Sequence, residues 1–449
     1  MKTTTLLAAA APLLVFGSVA CASATEPAST TSDDAVNGAQ QEPGAELAAA
    51  PLPAPTSRTI PASGEPRRTA REAEKPVDVG GEGGGGEGGG TGAGTFFSPE
   101  RQVAAKLGLP NRFLVGLGND VTGNDASQTM AYALGPKVDI HYLYLSGVTW
   151  PEWDLPAGSY ITKATAAAKS RGIVPMFTLY QAAAYGENNL GAFATTEFMT
   201  KYWRGVRIMF EKIGAFGDPT IVHVEPDLWG YTQQKGDDPA AVPMKVGAIV
   251  PECADLPANA AGMARCVLRL GRTIAPNAVI GFSASSFGAF TGGVSDPDRI
   301  GAYMKAIGAG DADILVVETL DRDAGCFEKA TDANCKRSGS FYWDESNVAH
   351  PNFHDHLAWA KTLRTVVGRP LLWWQMPLGV PASSAGGSTN RYRDNRVRYL
   401  FNHPSEFAAA GGIGAVFGTG ASNQTTVQTD NNQFKNALTG YLASPAALP

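Results

Sequence analysis

From Phe113 onward the chain alternates between short, almost wholly apolar runs and longer stretches with apolar residues at helical spacing. The runs are Phe113–Gly118, Val138–Leu145, Ile173–Leu179, Ile221–Val224, Ala278–Phe282, Ile314–Val317, Pro370–Trp374 and Gly414–Phe417. Their brevity and β-branched content predict strands covered on both faces. Helices are predicted between them, over Tyr160–Ser170, Phe198–Ile213, Asn259–Ile274, Arg299–Ile307, Asn352–Val366 and Asn395–Ala409. In Phe198–Ile213, the residues Tyr202, Val206, Met209, Phe210 and Ile213 fall on one stripe. Eight strand–helix alternations of this kind imply an α/β fold, a (β/α)8 TIM-type barrel. A doubly wound open sheet is the alternative. No Gly-x-Gly-x-x-Gly loop follows the first run, so a dinucleotide site is not indicated and no cofactor is expected.

The chain before Phe96 has a different character. Lys2 precedes the apolar stretch Leu6–Phe16, which is too short to span a bilayer and reads as a secretory signal over residues 1–24. Ser18-Val-Ala-Cys21 resembles a bacterial lipobox, which would place a lipid on Cys21. Ala22-Ser-Ala24 offers a cleavage site for a soluble exported form instead. Residues 25–95 are rich in Ala, Pro, Ser, Thr, Glu and Gly and close in the run from Gly80 to Gly90. Such a segment has too little apolar surface to offset its ordering entropy, so a disordered tether is expected there. The barrel is assigned to residues 96–449. The expected location is a cell-surface or outer-membrane lipoprotein, or a secreted protein. Membrane contact is expected only through Cys21, and the protein is read as a monomer.

Charge and cysteine usage narrow the classes further. The net charge is −6 and no basic tract occurs, which excludes nucleic acid as the expected partner. Setting Cys21 aside leaves four cysteines, Cys253, Cys266, Cys326 and Cys335. In an exported protein the local pairs Cys253–Cys266 and Cys326–Cys335 are the expected disulfides, and neither has zinc-ligand spacing.

The candidate chemistry sits where the apolar runs stop. In a parallel barrel the strand ends converge on one rim, where barrel enzymes carry their active sites. Asp120, Tyr180, Gln181, Glu225, Asp227, Glu318, Asp321 and Gln375 all follow such runs, and Tyr144, Trp229 and Trp374 are interleaved with them. Amides and carboxylates grip hydroxyls, and flat rings stack on the apolar faces of pyranoses. The set therefore suits a polysaccharide or oligosaccharide. Asp120, Tyr144, Tyr180, Gln181, Trp229, Asp321, Trp374 and Gln375 are the expected substrate contacts, set against the plainer possibility that the aromatics only pack the core. Trp373 and Trp374 are adjacent on one strand, so one faces inward and the other the helices.

Cleaving a glycosidic bond needs two carboxyl groups, one protonated and one ionised. The stretch Thr220-Ile-Val-His-Val-Glu-Pro-Asp227 ends a strand in two acids. Strand alternation would put His223, Glu225 and Asp227 on one face. Asp227 or Glu225 is the expected acid, and Glu318 or an acid just after it the partner. Three other functions compete with this one. A non-catalytic sugar-binding barrel would need the aromatics but not the acids. A metal-dependent deacetylase or hydrolase would need a ligand set, yet His354 and His356 lie two apart on a predicted helix and point about 200° apart; no metal is expected. A serine nucleophile lacks its Gly-x-Ser-x-Gly turn.

Residues from about Gly172 to Phe290 carry a family resemblance. The segments are Tyr202-Trp-Arg-Gly-Val206, Val222-His-Val-Glu-Pro-Asp-Leu228, Ala258-Asn-Ala260 with Cys266, and Ala278-Val-Ile-Gly-Phe282. They resemble the family 6 glycoside hydrolases, the cellobiohydrolases and endoglucanases. The resemblance implies that the aspartate of Glu-Pro-Asp, here Asp227, is the catalytic acid, and that the anomeric centre is inverted on a β-glucan-like chain. The chain departs from that family in two places. Tyr180-Gln-Ala-Ala-Ala184 stands where the family has an aspartate-rich segment, and Ser283-Ala-Ser285 where it has an aspartate.

Overall fold

The structure, a computed structural model, describes residues 97–120, 128–186, 188–319, 323–329, 342–381, 393–420 and 424–449. Cys21, Asp321 and Cys335 lie outside the described residues, as do the signal and tether assigned to residues 1–95. Each apolar run forms a strand. These are β1 Leu114–Gly118, β2 Ile140–Ser146, β3 Val174–Tyr180, β4 Thr220–Val224, β5 Ala278–Ser283, β6 Ile314–Val317, β7 Leu371–Met376 and β8 Gly412–Phe417. Every neighbouring pair is parallel, and β8 pairs with β1, so the sheet closes into the expected (β/α)8 barrel. A doubly wound open sheet is ruled out by that closure.

Strand alternation divides the core in two. Ile140 and Tyr142, Val174 and Met176, Ile314 and Val316, and Leu372 and Trp374 belong to one inner cluster. The intervening residues face the surrounding helices in a larger cluster. Helix α1, Pro99–Lys106, seals the N-terminal end of the barrel, where Val103 and Leu107 join the inner cluster. It is pinned there by Arg364, which donates to the buried Glu100 carboxylate at 2.7 Å, and by Lys106 on Asp313. The chain's C-terminus packs on the same end: Phe113 N–H donates to Ala446 O, and Ser98 Oγ to Pro449 O.

The helices lie near their expected places, with α2 at Ser159–Lys169, α3 at Thr196–Phe216, α4 at Ala260–Ile274, α5 at Pro297–Ile307 and α6 at Phe353–Val367. One expectation needs correcting. Asn395–Ala409 is two helices, Arg396–Asn402 and Pro404–Ala409, broken at His403. Pro404 has no N–H for the helical ladder and disfavours a helical residue before it. Cys253 and Cys266 form a disulfide, with Cα atoms 5.7 Å apart. Cys326 is also disulfide-bonded. No helix among the described residues is long and apolar enough to cross a membrane.

Candidate active site

Asp227 stands three residues beyond the end of β4, partly exposed, at the first turn of a short helix, Leu228–Gln233. Its carboxylate makes no cap bond to that helix. Tyr180, the last residue of β3, donates from its hydroxyl to Asp227 Oδ2 at 3.2 Å. Glu318 follows β6, also partly exposed, and β5 lies between β4 and β6 in the closed sheet. Two carboxyl groups therefore stand two strands apart on the C-terminal rim.

Aromatic rings floor the space inside that rim. Tyr142 and Tyr144 on β2, Tyr180 on β3 and Trp374 on β7 meet at centroid distances of 5.9–6.2 Å. Glycines make the room. A Cβ on Gly118 would lie 2.3 Å from the Tyr142 ring, and one on Gly418 would lie 2.0 Å from its hydroxyl. Burial, together with the charges of Asp120 and Glu318, keeps the Tyr142 phenol protonated well above its ordinary range. His223 lies one layer deeper, its ring 4.7 Å from Trp374, and burial pushes its pKa down to about 3. Among the described residues, four buried polar atoms on the inner strands lack a hydrogen-bond partner: Tyr142 Oη, His223 Nε2, Ser283 Oγ and Trp374 Nε1. Buried polar atoms are normally paired, so such a cluster marks a place built for polar contact.

Backbone strain gathers at the same rim. Asn119, Glu225 and Gln375 have left-handed φ values of 51°, 50° and 52°, at the ends of β1, β4 and β7. Each such residue costs about 1–3 kcal/mol and persists only where its neighbours hold it. Gln375 is held by Tyr144, whose hydroxyl accepts from its Nε2 at 2.7 Å, and by Thr419 O at 3.0 Å. Asn119 Nδ2 donates to that same carbonyl at 2.8 Å.

Several of the residues singled out in the sequence do not reach the mouth. The turn at Glu225 breaks the expected alternation with His223. Its carboxyl is wholly buried on the β3–β4 seam, taking N–H bonds from Gln181 and Ala182 with the Tyr202 phenol of α3 against it. Burial raises its pKa to about 8, against the opposing pull of those two backbone bonds. Gln181 is equally buried, donating to Tyr202 O and packed where a Cβ on Gly205 would strike it. Trp229 packs edge-on against Phe282 in the outer core and donates to Val224 O. Asp120 turns to the outward-facing His141, 2.7 Å away, and to Ala131 N–H. The structure thus brings Asp227, Glu318, Tyr144, Tyr180, Trp374 and Gln375 together and sets Glu225, Gln181 and Trp229 apart.

Two further residues were not anticipated. Tyr142 was legible only as strand core, although its spacing from Tyr144 puts both on one face. Ser283 ends β5 on the inner side, at the place where the resembled family has an aspartate. Trp373 faces the helices, as its adjacency to Trp374 demands, and donates to His356 Nε2 at 2.8 Å. His356 is partly buried against Trp373 while His354 is exposed beside Glu406, so the two rings of the His-Asp-His run lie in different surroundings. Among the described residues no group of three or more His, Cys, Asp or Glu is arranged to hold a metal.

No family model matches the chain, and no curated protein sequence does. Solved structures do. An endoglucanase from Mycobacterium tuberculosis, in complex with a thio-linked cellobioside, is 14% identical over 57% of this chain and 67% of its own, with a TM-score of 0.30. A Cellulomonas fimi endo-β-1,4-mannanase double mutant is 11% identical over 78% and 75%, with a TM-score of 0.44. A D-psicose 3-epimerase from Clostridium cellulolyticum is 8% identical over 74% and 97%, with a TM-score of 0.40.

Proposed function

We propose that this protein is a glycoside hydrolase that cleaves a polysaccharide, of β-glucan-like type, with Asp227 as general acid and Glu318 as its carboxylate partner. The observation that carries the reading is the pairing of two partly exposed carboxyls on one barrel rim above a floor of tyrosine and tryptophan rings. Acid catalysis needs a carboxyl that can hold a proton near the scissile oxygen, and its partner must stay ionised to activate water or attack the anomeric carbon. Tyr144, the partly exposed ring of that floor, stacks against a sugar face, with Tyr142, Tyr180 and Trp374 buried behind it and Gln375 held at the same level. Inversion is the favoured course, since β7 ends in Gln375 rather than an acid.

The N-terminal segment completes the reading. On this reading residues 1–24 serve as the export signal, Cys21 is the point of lipid attachment, and residues 25–95 link that anchor to the barrel. Cys21→Ala should move the protein from the membrane fraction to the soluble one.

The deciding experiment is a scan for released reducing ends on cellulose, other β-glucans, mannan, peptidoglycan and the host's own exopolysaccharide. Cleavage of one polymer, lost in Asp227→Asn, supports the proposal. Tight binding of one polymer with cleavage of none would replace it by a sugar-binding barrel.

A further inference from the structure

Glu225 is a carboxyl buried on the β3–β4 seam, to which the proposed cleavage gives no role. It is held in a left-handed turn at φ 50°. Its contacts fall on the end of one neighbouring strand. Glu225 N–H donates to Leu179 O at 2.8 Å, Gln181 N–H donates to Glu225 Oε1 at 3.0 Å, and Ala182 N–H donates to Oε2 at 3.1 Å. Backbone groups on both sides of Tyr180 are therefore bound by one residue of the β4 end. Gln181 is fixed a second time by its own amide on Tyr202 O. Tyr180 itself has its side chain inside the barrel, where its ring meets Tyr144 and its hydroxyl reaches Asp227.

We infer that Glu225 is a positioning residue, which clamps the backbone around Tyr180 and so sets the Tyr180–Asp227 hydrogen bond. The inference rests on the reading of Asp227 as the acid. Both carboxylate oxygens are needed, because each takes a different backbone N–H. A glutamine keeps only one acceptor and turns an NH2 group toward the second N–H. That N–H is buried and cannot find water, so the strand end must shift to relieve it. The strain at Glu225 serves the same clamp, since relaxed dihedrals at this position would carry its carboxyl into the barrel beside His223, not onto the seam.

The test combines geometry and kinetics. In a crystal structure of Glu225→Gln, the Tyr180 hydroxyl should draw away from Asp227, from 3.2 Å to beyond about 3.5 Å, outside hydrogen-bond range. On a cleaved polymer, kcat should fall about 10²-fold with KM little changed, and the alkaline limb of the pH–rate profile should move. Glu225→Gln combined with Tyr180→Phe should fall no further than the worse single variant, because the two act through one contact. An intact Tyr180–Asp227 bond in the variant, or effects that multiply with an unmoved pH limb, would overturn the inference. Glu225→Asp, which keeps the carboxyl group but shortens its reach, replaces the glutamine if that variant does not fold. If the wild type cleaves no polymer, the hydrolase reading fails, and the crystallographic comparison still decides the clamp.

Discussion

The hydroxyl of Tyr180 donates to Asp227 across the β3–β4 seam, joining the last residue of one strand to the first turn after the next. That bond steadies a carboxyl which its own helix leaves uncapped. Asp227→Asn keeps the shape and the contact but cannot deliver a proton. Turnover should fall about 10²–10⁴-fold, while affinity for the uncleaved chain, measured calorimetrically, stays near the wild-type value. Near-normal turnover would remove Asp227 from the mechanism.

Much of this arrangement is legible in the sequence, because it follows from period. The eight apolar runs give the barrel, and adjacency alone assigns Trp373 and Trp374 to opposite faces. What is not legible depends on single dihedral angles and distant partners. One left-handed residue, Glu225, reverses the side implied by His223. Gln181 and Trp229 follow strand ends, yet α3 and Phe282 draw them into the outer core. Asp120 was expected at the mouth because it follows β1; His141, on the outward face of β2, claims it. Tyr142 finds its place only because Gly118 and Gly418, far apart in the chain, leave space for it.

Substituting either glycine should show how tightly that floor is packed. Gly118→Ala puts a methyl group 2.3 Å from both the Tyr142 ring and its carbonyl oxygen. Overpacking of this kind costs about 1–3 kcal/mol, and the backbone clash favours the upper end. Denaturant unfolding should read the loss. A variant as stable as the wild type would mean that the floor yields.

Stability should also depend on pH through Glu225, His223 and, on the helix outside the barrel against Trp373, His356. The folded protein holds Glu225 at about 8 against an ordinary 4.5, so its stabilising contribution is full below 4.5 and is lost as pH rises to 8. His223 and His356 are depressed to about 3 from 6.5, so theirs is full above 6.5 and is lost as pH falls toward 3. Two histidines outweigh one carboxyl between 4.5 and 6.5, which places the maximum from these groups near pH 6.5. Melting temperatures taken across pH should decline from there to pH 8 in the wild type. In Glu225→Gln that decline should flatten, and an unchanged slope would refute the assignment.

The Cys253–Cys266 bridge ties the long β4–α4 connection to α4 itself, closing a loop of 13 residues in sequence separation. A loop of this size is worth about 3 kcal/mol. Replacing both cysteines by serine should lower unfolding stability by about 2–4 kcal/mol and leave the pH–rate profile unchanged, since neither sulfur approaches the rim. Free thiols at these positions, found by mass mapping without reductant, would contradict the bridge.

The last prediction concerns Glu318 and the stereochemistry of cleavage. A retaining glycosidase needs its second carboxylate about 5–5.5 Å from the acid, close enough to bond the anomeric carbon; an inverting enzyme leaves about 6.5–9.5 Å for a water. Asp227 and Glu318 stand on strands separated by β5. Neighbouring strands lie about 4.8 Å apart, so two steps around the rim favour the wider spacing. β5 also ends in Ser283, whose short side chain intrudes little between the two acids. Freshly cleaved ends, followed by proton NMR before mutarotation, should therefore carry the inverted anomer. Glu318→Gln should depress turnover about 10²–10⁴-fold, without accumulating a covalent glycosyl-enzyme in intact-protein mass spectra. A retained anomer, or a trapped adduct on Glu318 with a slow fluorosugar, would make Glu318 a nucleophile and the mechanism double displacement.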